Sequence, residues 1–169
     1  VHGMSRDQAA MEHDVTVLTI RHDPEQPSVE RRDGYRVIRC DSLASPLGND
    51  ISPGVARALA NASAFDVIHA HDWHTYQAGI EAKKATGKPL VVHIHNTSFD
   101  RSGGNPNPNE YSIEYQGFHQ ADKVISISDF VKNTLINHYG VPTEKIDVVH
   151  NGIDVDQYTY QNFKSQINS

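Results

Sequence analysis

The sequence predicts an α/β domain, a Rossmann-like parallel sheet with helices on both faces. Three observations carry that prediction. Short β-branched runs alternate along the chain with longer segments of helical pattern. The later runs are mostly apolar, as strands buried on both faces are. The length of 169 residues suits one ordinary domain, which buries roughly 70% of the surface its unfolded chain exposes.

In chain order, Val1, Met4 and Met11 fall at helical spacing around Ala9 and Ala10, so the chain opens inside a helix, as an excerpt of a longer protein would. Residues 14–20 and 35–40 are β-branched strands, and residues 23–27 and 31–34 between them are turn material. Ser52 before Pro53 reads as an N-cap with proline at N1, opening a helix that ends near Asn61. Residues 66–70 form a short buried strand, and 73–86 a helix closed by Gly87 with Pro89 just beyond. Residues 90–94 are the next strand. The Gly103-Gly104 loop leads into a helix in which Tyr111, Tyr115 and Phe118 share a core face. Residues 123–127 are a strand, Ser128 caps a helix ended by Gly140 and Pro142, and 146–150 make the sixth strand. Residues 1–153 thus read as one domain, and 154–169, polar and without period, as the start of a linker.

Composition removes several function classes. Fifteen Lys and Arg against 21 Asp and Glu leave a net charge of −6, which disfavours a binder of nucleic-acid phosphates. Charge is mixed along the chain, so an acidic disordered tail is also disfavoured. No stretch approaches the ~20 apolar residues of a membrane span, and no secretory signal pattern is present, which sets a cytoplasmic expectation. A single cysteine, Cys40, excludes an internal disulfide framework and an all-cysteine metal site, and reads as a small buried residue. Eleven histidines stand out.

The histidines gather at strand ends, where open α/β sheets bind ligands. His69 and His71 share one strand face, as do His93 and His95. Two His-x-His pairs on neighbouring strands suit a zinc hydrolase, since imidazole is the commonest nitrogen ligand for zinc. The segment misses the His-x-His-x-Asp-His pattern of metallo-β-lactamase-like hydrolases, because Asp72 comes one place early and Trp73 holds its slot. No Cys or acidic ligand completes the set, so the expectation is no metal and no resident cofactor. His69 and His93 read as core or cap histidines satisfied by backbone groups. His71 and His95, last on their strands, read as functional.

Four segments, in this order and spacing, carry a resemblance: Asp66-Val-Ile-His-Ala-His-Asp-Trp-His74, Lys88-Pro-Leu-Val-Val-His-Ile-His95, Ala121-Asp-Lys-Val-Ile-Ser-Ile-Ser128 and Lys145-Ile-Asp-Val-Val-His-Asn-Gly-Ile-Asp154. Together they resemble the N-terminal half of the glycogen synthase-like family 4 (group 1) retaining glycosyltransferases, which have the GT-B fold; residues 13–19 resemble the second strand of that domain. The resemblance spans nearly the whole chain.

It implies an acceptor-binding domain of a hexosyltransferase, paired in the intact protein with a C-terminal GT-B domain. That enzyme moves a sugar from a nucleotide-sugar donor to a glucan or glycoconjugate acceptor without a metal. His95 is implied at the reacting sugar as the catalytic residue, its role electrostatic instead of nucleophilic. His71, Asp72 and Trp73 are implied to line the cleft, with Asn96, Thr97 and Arg101 as further substrate-binding candidates. The family's first strand and Gly-rich loop would precede Val1, and its Glu-x₇-Glu motif would follow the linker. With neither on the chain, the 169 residues alone are expected to be inactive. A zinc-dependent hydrolase and a non-catalytic carbohydrate-binding module remain the alternatives.

Overall fold

A computed structural model describes residues 1–40 and 65–152. The helix expected near 53–61 and the linker from 154 lie outside the described residues. The described segments contain helix α1 (His2–Ala10) and strands β1 (Thr16–Ile20), β2 (Val29–Arg32), β3 (Tyr35–Cys40) and β4 (Ile68–His71). They continue with α2 (Trp73–Thr86), β5 (Leu90–Ile94), the short α3 (Ser98–Arg101), α4 (Pro108–Gln120), β6 (Lys123–Ser126), α5 (Asp129–Tyr139) and β7 (Ile146–Val148).

All six expected strands are present within a residue or two of their expected bounds. Their arrangement among the described residues differs from one continuous sheet. β1, β3 and β2 form a three-stranded sheet in that order, and β4-β5-β6-β7 a four-stranded one. Every pair in the four-stranded sheet is parallel, as right-handed β-helix-β units require. β2 is an addition to the expected elements. It pairs antiparallel with β3 through a tight Asp33-Gly34 turn with φ of 47° and 87°, the geometry of a type I′ hairpin.

Register fixes what each face of the four-stranded sheet presents. Ala70, Val92, Val124 and Ile146 lie side by side. They join one buried cluster with Tyr76 and Ile80 of α2, Phe118 of α4, and Val131, Leu135 and Tyr139 of α5. The three long helices therefore cover the same face. The opposite face carries the row His71, His93, Ile125, with His69 and Val91 one step back. Capping follows the sequence: the Ser128 hydroxyl accepts from the Val131 amide at 3.2 Å, and Gly87 and Gly140 end α2 and α5 in left-handed conformations. Tyr111 and Phe118 do join or pack against the core, while Tyr115 is exposed.

Gly117 sets how closely α4 approaches α2. A Cβ there would stand 2.3 Å from Cδ2 and 2.7 Å from Cγ of Tyr76, a fully buried ring. Tyr76 cannot retreat freely, since its hydroxyl donates to the His93 carbonyl at 3.2 Å. Gly117→Ala is therefore expected to cost about 1–3 kcal/mol through overpacking. Urea denaturation should show a lower midpoint with an unchanged slope; a midpoint equal to wild type would contradict this helix contact.

Candidate functional site

The end of β4 turns into α2 through Asp72, whose backbone takes the rare combination φ 58°, ψ 164°. That region is sparsely occupied by non-glycine residues and costs about 1–3 kcal/mol. The Asp72 amide donates to the His93 carbonyl at 2.9 Å, and its carboxylate Oδ1 accepts the His95 amide at 3.1 Å. One residue thus ties the ends of two parallel strands together. Thr75 secures the turn by donating from Oγ1 to the His71 carbonyl at 2.8 Å. The result places His71 and His95 at the same end of the sheet, as the strand pattern predicts.

Beyond these ends lies an open cleft of about 200 Å³ lined by Asp72, Trp73, His74, Asn96 and Arg101. The rings of Trp73 and the exposed His74 lie against each other at a tilt of 33°, with centroids 3.8 Å apart. Of the seven residues expected at the site, five lie at or beside this cleft. Asp72, Trp73, Asn96 and Arg101 line the cleft, and His95 stands half-buried at the strand end behind it.

Arg101 is already engaged. Its guanidinium donates to the carbonyl and side-chain oxygens of Asn96 at 2.9 and 2.7 Å, to Glu110 at 2.6 Å and to Glu114 at 3.3 Å. It holds Asn96 in place, and two carboxylates balance its charge. Thr97 corrects the sequence expectation. It is fully buried as the N-cap of α3, and its amide and hydroxyl both donate to the Asp100 carboxylate, at 3.1 and 2.8 Å. A capping box consumes the groups a substrate would need. The Gly103-Gly104 loop is a turn, both residues at positive φ.

The histidines also depart from expectation. His69 and His93 are not satisfied by backbone groups. Among the described residues, His69 Nε2, His71 Nδ1 and both ring nitrogens of His93 are buried without a hydrogen-bond partner. They form one stack with His95: ring centroids are 4.3 Å apart for His69 and His71, 5.0 Å for His71 and His93, and 4.7 Å for His93 and His95. Burial first, then the positive charge of neighbouring groups, pushes His71 down to about 3 and His93 to about 4 and lowers His69. All three are uncharged imidazoles at neutral pH.

Sequence reasoning passed over Glu114. It is fully buried, and its carboxylate accepts the Ser98 amide at 2.8 and 3.0 Å and the Tyr139 hydroxyl at 2.5 Å. Burial pushes its pKa up against those hydrogen bonds and the Arg101 charge. The available signal was position: Glu114 sits three residues after Tyr111 and four before Phe118, an acid on the apolar side of α4.

Comparison with known proteins places this geometry in context. The family model of Glycosyltransferase Family 4 matches residues 1–157. The uncharacterized glycosyltransferase MJ1607 of Methanocaldococcus jannaschii is 27% identical over 153 residues, covering 84% of this chain and 38% of that protein. The D-inositol 3-phosphate glycosyltransferase of Salinispora arenicola is 32% identical over 152 residues, covering 79% of this chain and 34% of that protein. The chain therefore spans little more than a third of these relatives. Among solved structures, sucrose-phosphate synthase from Thermosynechococcus elongatus superposes with a TM-score of 0.78 at 17% identity, over 99% of this chain and 45% of that one. Anabaena Alr3699/HepE, solved with UDP and glucose, gives 0.60 at 22% identity, over 78% and 36%. The fold is that of part of a GT-B glycosyltransferase. No helix among the described residues is long and apolar enough to cross a membrane.

Proposed function

The chain belongs to Glycosyltransferase Family 4, and from that premise we propose that it is the acceptor-side domain of a retaining hexosyltransferase. The intact enzyme moves a sugar from a nucleotide-sugar to a glucan or glycoconjugate acceptor, acts in the cytoplasm, and draws on no resident cofactor for the transfer. The observation that carries the reading is the Asp72 bridge. It holds His95 at the strand end beside a cleft lined by Trp73 and Asn96, where one wall of a two-domain active site belongs. HepE, solved with UDP and with UDP-glucose, supports a nucleotide-sugar donor. The hydrolase alternative is not favoured by the family assignment.

In this reading His95 gives a hydrogen bond where charge develops on the reacting sugar, and the Trp73 ring offers a flat apolar surface to a sugar face. The departing diphosphate needs a clamp, and among the described residues the lining of this cleft offers no uncommitted cation for one. Arg101, the cation at the cleft, already serves Glu110 and Glu114. A second domain is expected to supply that clamp.

The test compares the 169-residue chain with the intact protein on a nucleotide-sugar panel that includes UDP-glucose. The intact protein should transfer sugar with retained anomeric configuration, and the chain alone should show no turnover. Turnover by the isolated chain would defeat the two-domain reading, and an inverted product would defeat the retaining one.

A further inference from the structure

We propose that His69, His71 and His93 form a chelating site that takes up one borderline divalent transition metal ion per chain, of the Zn²⁺ class. The site lies on the sheet face opposite the packed helices. It is an accessory site, separate from the sugar transfer proposed above, and does not depend on that reading.

The first argument is register. His71 and His93 are directly opposed across the parallel β4–β5 pair, and His69 lies two residues back on the same strand face. A His-x-His strand with a third histidine on its neighbour groups three rings, and one donor atom from each lies within 4.8 Å of the others. The second argument is the unsatisfied nitrogens. His93 is 7% exposed, yet neither of its ring nitrogens has a partner among the described residues; His69 and His71 each add one more such atom. Buried polar atoms without partners are uncommon and point to a missing ligand.

The third argument is the donor set. Three nitrogen donors without carboxylate or thiolate select Zn²⁺, Ni²⁺ or Cu²⁺ over Mg²⁺ and Ca²⁺. Tetrahedral zinc wants its nitrogen donors about 3.3 Å apart, so binding requires small ring rotations out of the present stack. A fourth position is left for water. Among the described residues no carboxylate backs the unpaired nitrogens, so the affinity should fall about 10–100-fold short of a site with a complete outer shell.

The experiment titrates the tag-free, EDTA-treated chain with Zn²⁺ alone by calorimetry at neutral pH, and with Co²⁺ followed by absorbance. The expected result is one ion per chain with a micromolar Kd, Zn²⁺ displacing Co²⁺, and no response to Mg²⁺. His71→Gln and His93→Gln should each weaken binding by at least about 100-fold, while the exposed-site controls His13→Gln and His22→Gln leave it unchanged. Nitrogen-15 spectra of the wild-type histidine rings, which need no variant to fold, should show three rings shifting together at one equivalent of Zn²⁺. Absence of binding up to about 100 µM, or binding that the control substitutions remove, or ring shifts confined to exposed histidines, would overturn the proposal.

Discussion

His95→Ala in the full-length protein is expected to lower kcat by about 100-fold or more, the usual loss when one donor aimed at developing charge is removed. Tm should move by no more than about 3 °C. The separation of the two effects follows from geometry. The bond that ties β5 to the β4 turn runs from the His95 backbone amide to the Asp72 carboxylate, and alanine keeps that amide. The His95 ring is half-buried at a strand end, contributes no hydrogen bond among the described residues, and stacks only on His71 and His93. Its removal costs a ring contact, not an anchored core group. Turnover and melting temperature measured on the same preparation decide the matter. Near-wild-type turnover would remove His95 from the proposed chemistry, and a large fall in Tm with proportionate loss of activity would make it a structural residue.

How far the site was legible from sequence varies residue by residue, for physical reasons. Strand ends and helix caps are local, so Ser128, Gly87 and Gly140 announced themselves, and parallel pairing then put His71 and His95 at one end. β2 was obscured because Val29–Arg32 is a charged, largely exposed edge strand, whose residues carry the composition of a loop. Thr97 looked like a cleft residue by proximity to His95, but a capping box turns it inward, a choice made by Asp100 three residues later. Two His-x-His pairs on neighbouring strands are visible in the sequence, but whether His69 and His93 meet backbone partners is not, because that depends on what packs over the strand face. Only the β4–β5 register shows that they and His71 form one group. Such cross-strand facts depend on which residues stand opposite, and no single segment contains them.

Glu114 is the residue whose loss is expected to damage stability most. Its carboxylate gathers three donors from two elements: the Ser98 amide and the Arg101 guanidinium at the two ends of α3, and the Tyr139 hydroxyl from α5. A negative group at Ser98 also faces the positive end of that short helix. Glu114→Ala leaves the buried Tyr139 hydroxyl and the buried Ser98 amide without their acceptor, and removes one of the two carboxylates facing Arg101. Orphaning partners of a buried charge costs about 3–5 kcal/mol. Arg101 is a third exposed and keeps Glu110, so the lower end, about 3 kcal/mol, is the expected value. In a chain of this size that corresponds to a fall of about 6–12 °C in Tm. Glu114→Gln keeps one acceptor oxygen and the side-chain volume, and should lose about half as much. Activity should fall in the intact enzyme as well, because Arg101 grips Asn96 and loses part of its own support. Thermal unfolding of both variants tests the argument: a loss below about 1 kcal/mol in Glu114→Ala would mean that water reaches this carboxylate and that the α3–α4–α5 junction is not the buried network described here.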